Sequence, residues 1–254
     1  MNIKGLMEQI ETIVPFSNAF FDDKVGLLIG DEGEVVTKLI VAHDLTLDLL
    51  DHCIDSNINC VIVYHPPIHK PLDFVRYDNP YTEVVARFLY NNISVLSLHT
   101  ALDVADGGNA DTLADLFDLK DIKKFAYTNE NFSAGRIGNI PSISSEDFLI
   151  VVGEKLNTEI LRTNKYFSEM KSVERIALLP GSGTDFINEV IGKADVYLTG
   201  DISHHHFLTA DIANLGLVQI SHIASEIPGI DKFSKKLATL LNMNLSYYKP
   251  IYYG

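Results

Sequence analysis

The chain has 254 residues, 46% of them apolar, enough to bury a substantial core in one large domain or two small ones. Its formal net charge of -14 weighs against a general nucleic-acid or anionic-membrane binder, which needs a basic face. Only two cysteines occur, Cys53 and Cys60, so a disulfide scaffold is excluded and two buried thiols in a reducing cytoplasm are expected.

No apolar run approaches the roughly 18 residues of a membrane span, and the start, MNIKGLMEQIETIV, is not a secretory signal. Residues 3–14 place Ile3, Leu6, Met7, Ile10 and Ile13 at helical spacing, and Pro15 ends the pattern. A strand is expected at 35–42, a helix at 46–57 and a strand at 61–64. Beyond that strand, Pro66 and Pro67 can neither donate to a ladder nor continue a helix, so they fix the direction of His65. A helix near 80–91 leads to a strand at 93–98. The stretch 119–142 is rich in Lys and Asn and reads as irregular, with GRIGNIP as an edge hairpin or a turn. Alternation resumes with a helix at 145–157, the strand RIALL, a helix at 184–192 and the strand DVYLT. A helix at 203–214, the strand LVQIS and a C-terminal helix near 230–242 complete it. Strands alternating with helices predict an α/β fold with mixed, largely parallel sheets. Two lobes, 1–118 and 143–254, are expected to meet through 119–142.

The nine histidines are not scattered. His65, His99 and His222 each follow a strand at its carboxyl end, the edge where open α/β sheets bind ligands. Asp103 and Glu226 stand four residues after His99 and His222, on one face if the segment is helical and equally workable in a loop. A strand-end imidazole alone is more often packing than ligation. Three of them with two carboxylates supply the mixed nitrogen and oxygen donors that suit zinc, iron, manganese or nickel. Two carboxylates able to bridge fit a pair of divalent ions. TGDISHHH, 199–206, puts Asp201 and His204–His206 at a helix start, where all three histidines cannot face one pocket. LLPGSGTDF, 178–186, offers an amide nest for an anion at Gly181–Gly183, a signal that an empty Gly-Ser-Gly turn also gives.

These pieces in this order resemble the NGG-one-interacting-factor-three-like family, also known as GTP cyclohydrolase I type 2 homologues or dinuclear metal centre proteins. The resemblance rests on DDKVGLLIG, YHPPI, SLHTALDVADGGNADTLADLFDL, GRIGN, PGSG, ADVYLTGDISHHH and SHIASE, which span nearly the whole chain. It implies one compact family unit over 1–254, with two related α/β lobes around a two-metal site and assembly into a hexameric ring. It implies His65, His99, Asp103, His222 and Glu226 as the metal ligands. Many members carry two successive histidines where this chain has Tyr64-His65. A phenol binds a metal well only once deprotonated, so the second ion is expected to be the weaker, with His69 as a substitute donor.

Two functions follow as expectations. One is a cytoplasmic metal-dependent hydrolase acting on a small molecule through a metal-activated water, with Asp201, His204 or His205 as proton shuttle. The other is a non-enzymatic metal-binding regulatory, delivery or adaptor protein with a protein partner. Nothing in the sequence marks a guanine pocket.

Overall fold

In the computed structural model, which describes residues 1–249, the strands of the first half are apolar on both sides. From the amino terminus the elements run α1 (Ile3–Glu11), β1 (Gly26–Ile29), β2 (Leu39–Ala42), α2 (Leu47–Asp55) and β3 (Cys60–Val63). Next come α3 (Pro80–Tyr90), β4 (Ser94–Ser97), α4 (His99–Val104), α5 (Asn109–Leu116), β5 (Lys120–Tyr127) and β6 (Ser133–Ser144). Then follow α6 (Ser145–Leu156), β7 (Ile160–Thr163), α7 (Lys165–Glu169), β8 (Ser172–Ser182), α8 (Ile187–Val190) and β9 (Val196–Gly200). The last are α9 (His204–Ile212), β10 (Gly216–Ile220), α10 (His222–Leu241) and β11 (Tyr247–Tyr248). One compact unit holds Met1–Asp106 with the chain from residue 230, and the other holds Gly107–Gly229.

The first unit contains a five-stranded sheet in the order β1-β4-β3-β2-β11. All its pairings are parallel except β1 with β4. β2, β3 and β4 are buried at every position, as strands covered on both faces must be. The two-residue period sorts their side chains. Leu39, Val41, Cys60 and Ile62 pack with Ile3, Leu6, Ile10, Ile230 and Phe233 on one face. Ile40, Ala42, Val61 and Val63 pack with Leu49, Leu50, Val85 and Phe88 on the other. The helices start where local chemistry directs them. Thr46 Oγ accepts the Leu49 N–H to open α2, and Asn79 caps α3 with Pro80 in its first turn.

The second unit contains a six-stranded sheet in the order β5-β6-β8-β9-β10-β7. Its centre, β8-β9-β10, is parallel, and its flanks are antiparallel. Leu113, Phe117, Phe148, Val152 and Phe167 pack with Ile176, Leu178, Val196, Leu198, Val218 and Ile220 into its core.

Several boundaries differ from the sequence expectation. The segment 119–142 is not an irregular joint: most of it is the hairpin of β5 and β6, with Gly135 directly under the Phe125 ring, where a Cβ would come within 2.3 Å. Accordingly the units divide at 106/107 and 229/230, and the part of the expected second lobe at 250–254 lies outside the described residues. The first strand in 35–42 is confined to β2, Val35 making only an isolated bridge to Asn2. The helix expected at 184–192 shrinks to a 3-10 turn and the four residues of α8. Conversely, the last helix begins at His222, not near 230, and runs through Pro228. A proline there removes one backbone N–H, which reads in sequence as a break although packing tolerates it. Among the described residues, no helix is long and apolar enough to cross a membrane.

Candidate metal centre

In the first unit, parallel strands deliver their carboxyl ends side by side. β2 is followed by His43 and Asp44, β3 by Tyr64 and His65, and β4 leads through Leu98 into His99 at the start of α4. His65 Nδ1 lies 2.8 Å from Asp44 Oδ1, and His99 Nδ1 lies 2.6 Å from Asp23 Oδ1. An ionised carboxylate can only accept, so each ring donates its Nδ1–H. That fixes the tautomer and turns Nε2 to the opposite side, the arrangement in which histidines ligate metals. Asp23 is held in turn. Its other oxygen accepts the Thr100 N–H at 3.1 Å and the Thr100 hydroxyl. Burial works against its charge, but hydrogen bonds and Coulomb attraction from His99, with those from Thr100 and the Lys24 amide, hold its carboxyl below the ordinary value. His99 has φ +32°, a left-handed backbone that a side chain rarely adopts.

Tyr64 and Asp103 are both buried, and Tyr64 Oη donates to Asp103 Oδ1 at 2.6 Å. The tyrosine ring is surrounded by imidazoles, with centroids 5.5 Å from His43, 4.9 Å from His65 and 5.8 Å from His99. His43, Asp44 and His65 offer donor atoms within 4.8 Å of one another, a group able to hold a cation. Asp44 and His65 also line a cavity of about 230 Å³ with Pro66, Pro67, His69 and Tyr81.

In the second unit the donors are one turn apart on α10. His222 Nε2 lies 3.0 Å from Glu226 Oε1, and His222 Nδ1 lies 2.5 Å from Asp201 Oδ2. Burial opposes a charged imidazole here, yet hydrogen bonds and Coulomb attraction from Glu226 and Asp201 prevail and push His222 up to about 9. Metal binding at this ring must therefore release a proton. Asp201, like His99, takes a left-handed backbone, with φ +50°. Gly181, at φ +65°, packs against the same pair: a Cβ there would lie 2.5 Å from Glu226 Oε1 and 3.3 Å from His222 Nε2. Only glycine leaves both the backbone and the donors in place.

A family model described as Duf34/NIF3 (NGG1p interacting factor 3) matches residues 1–249. The chain belongs to the Duf34/NIF3 family. It is 27% identical to a GTP cyclohydrolase 1 type 2 homolog of Clostridium acetobutylicum, over 95% of this chain and 91% of the relative. It is 28% identical to NIF3-like protein 1 of Drosophila melanogaster, over 94% of this chain and 83% of that one. Among solved structures, Staphylococcus aureus hypothetical protein SA1388 superposes with a TM-score of 0.86 at 27% identity, over 99% of this chain and 97% of that one. Reduced HcgD from Methanocaldococcus jannaschii gives 0.83 at 28% identity, over 97% of each chain.

The structure sorts the residues that carry the resemblance to Duf34/NIF3 proteins. HTxxD and HxxxE are both helical, at the starts of α4 and α10, so each carboxylate sits one turn beyond its histidine. In GRIGN, Arg136 is 2% exposed, bonded to Asp111, to the Ser133 hydroxyl and to the carbonyls of Ser133 and Gly135, so it braces the fold. PGSG is not an anion nest: Ser225 Oγ accepts the Gly181 N–H at 2.8 Å, and Thr199 Oγ1 accepts the Gly183 N–H at 2.9 Å. Asp201 reaches His222, while His204 and His205 are exposed on the first turn of α9 with their rings 5.5 Å apart. His69 is exposed and its Nδ1 lies 2.9 Å from Tyr81 Oη.

Sequence reasoning missed Asp23, Asp44 and His43. His43 carries the same signal as the others, an imidazole directly after an expected strand, and the rule could have found it. Asp23 meets His99 across 76 residues of sequence, and no spacing announces such a pair.

Proposed function

We propose that this Duf34/NIF3 protein is a metal-dependent hydrolase whose ions are held by His65, His99, Asp103, His222 and Glu226. The observation that carries the reading is the repeated histidine–aspartate pair. Three histidines from three strand ends, His65, His99 and His222, each have Nδ1 bound by a carboxylate from elsewhere in the chain. Ordinary packing asks for a hydrogen bond on a buried ring; it does not ask for an acid on Nδ1 three times over. The donors fit zinc, iron, manganese or nickel: imidazoles with two nearly fully buried carboxylates, and a glycine where any side chain would strike Glu226. Two divalent ions per subunit are part of the proposal, since Asp103 and Glu226 are both of a kind that can bridge.

Bound there, a metal supplies Lewis acidity, which makes a water nucleophilic near neutral pH. The chain's own residues do the rest. Asp23, Asp44 and Asp201 hold the imidazoles in one tautomer, and Asp201, 56% exposed, stands beside the site in contact with solvent, where a proton shuttle belongs. The cavity beside His65, walled by Pro66, Pro67 and Val85, admits a small molecule to that ring. The names of the relatives make a purine nucleotide the first substrate to try. Assembly into a hexameric ring belongs to the same reading, supported by large apolar side chains in solvent such as Phe21, Tyr90 and Ile212.

Elemental analysis of gently purified protein tests the centre: wild type carries transition metal and Asp103→Ala with Glu226→Ala loses it. Undiminished metal in that double variant overturns the assignment. A turnover screen of metal-reconstituted protein against nucleotides, phosphoesters and amides tests the hydrolase; metal without turnover leaves a metal-binding protein that is not an enzyme. Sedimentation equilibrium showing a stable monomer at micromolar concentration overturns the ring.

A further inference from the structure

We infer that the cavity beside His65 is a subsite for a planar nitrogen heterocycle of purine size, gripped by the crossed rings of His69 and Tyr81. The inference deepens the hydrolase reading above and rests on it for the use of the bound ring. The cavity measures about 230 Å³. Sites for drug-sized ligands run to ~300–1,000 Å³, so this one takes a ring system and not a whole nucleotide. Its walls suit a flat guest. Pro66, Pro67 and Pro80 bring stiff pyrrolidine rings with no rotamer to freeze, and Val84 and Val85 add apolar surface. Neither Lys nor Arg is among the residues that line it, so the phosphate end of a nucleotide meets no cation there.

The two aromatic side chains of the wall carry the inference. His69 and Tyr81 stand edge to face, with ring centroids 5.8 Å apart and planes at 87°. Tyr81 Oη lies 2.9 Å from His69 Nδ1, so each ring holds the other in that cross. A flat guest stacked on one ring meets the edge of the other, and aromatic pairs prefer those two arrangements. Tyr81 is 47% exposed, which leaves its ring open to such a guest. Its backbone is fixed in the first turn of α3, where Asn79 Oδ1 accepts its N–H at 3.1 Å. Thr82 Oγ1 accepts the Arg76 N–H and donates to the Arg76 carbonyl, tying the preceding loop to the same turn. A site ordered in advance loses less entropy on binding. Asp44, its side chain 39% exposed, adds a carboxylate to the wall. A carboxylate only accepts and offers about four lone-pair sites, one of them taken by His65 Nδ1–H, so it favours a guest with N–H donors over a hydrocarbon ring. His65 itself lines the cavity, so a ring bound here lies against a ligand of the proposed centre.

Ligand-observed NMR titration of the metal-free full chain tests the subsite with two probes, guanosine 5′-monophosphate and ribose 5-phosphate, which differ only by the base. The nucleotide is expected to bind with a dissociation constant of about 1 mM or tighter, and the sugar phosphate to bind far more weakly. Tyr81→Ala should weaken the nucleotide about tenfold, the scale of one lost base–aromatic stack. Tyr81→Phe keeps the ring and should lose less. Phe74→Ala is the control: Phe74 is 49% exposed on the preceding loop and is not part of the cavity wall, so affinity should hold. Circular dichroism checks that each variant is folded, and if Tyr81→Ala is not, His69→Ala takes its place with the same expectation. Equal affinity for the two probes, binding of neither, or wild-type affinity in Tyr81→Ala overturns the inference. Since no metal is present, each of those results leaves the metal centre standing. Wild type found by elemental analysis to carry no metal overturns the centre and leaves the binding of the ring as measured.

Discussion

The two units orient histidines by the same device but build it differently. In the first, the acid that holds His99 comes from a loop 76 residues away and is itself fastened by Thr100 and the Lys24 amide. In the second, Asp201 holds His222 from an exposed turn, with its own backbone in the left-handed region. The carboxylates differ too, Asp103 facing a phenol and Glu226 an imidazole. The orientation of His99 is therefore set by a buried acid with its own partners, and that of His222 by an acid on an exposed turn.

The largest effect should come from breaking that contrast directly. Asp23→Ala and Asp201→Ala should each weaken metal binding by about 10- to 100-fold, the range for acids behind ligand histidines. Asp23→Ala belongs at the upper end, because its side chain is only 9% exposed and its loss also strands Thr100. Competition titration against a chromophoric chelator measures both. Equal losses would mean that fastening the acid adds nothing to the hold on the histidine.

A substitution at Gly181 sharpens the view of the second unit. Gly181→Ala meets Glu226 Oε1 at 2.5 Å and must also hold φ +65°, so it should cost about 1–3 kcal/mol and weaken metal binding together. Gly107→Ala is the control, with φ +70° and nothing within 4 Å of its Cβ. It should lose stability by about 1 kcal/mol, from backbone strain alone, and leave metal binding unchanged. Denaturant melts and the same titration separate the two; a Gly181→Ala protein with wild-type affinity would show that the loop does not confine the donors.

The smallest effect concerns pH. Burial raises the Asp111 carboxyl, but its bond from the Gly107 amide and its pairing with Arg136 prevail and hold it below its ordinary value. A group depressed on folding contributes stability above its unfolded value and loses it as pH falls through the folded one. The second unit should accordingly lose stability below about pH 4, and Asp111→Asn should flatten that loss. Since Asp111 is 35% exposed, solvent screening keeps the change small. An acid melt as steep in Asp111→Asn as in wild type would remove the pair from the account.

Much of this is legible in the sequence. The alternation of apolar strands and amphipathic helices, the strand-end positions of His65, His99 and His222, and the spacing to Asp103 and Glu226 depend on local periodicity and neighbours. Local chemistry writes those into the sequence. The exceptions are instructive. Pro228 reads as a break and lies inside α10. The stretch 119–142, with Lys120, Lys123 and Lys124 exposed, reads as irregular because an edge strand needs no apolar alternation.

What the sequence alone determined was therefore the fold class, the family and a set of candidate donors. Only the tertiary structure decided what each donor faces. It assigned Asp23 to His99, Asp44 to His65 and Tyr64 to Asp103, and took the amides of Gly181 and Gly183 for Ser225 and Thr199. These are contacts between residues 16 to 76 positions apart. Which acid meets which base across such distances depends on strand order and on loop paths, and neither leaves a period in the chain to be read.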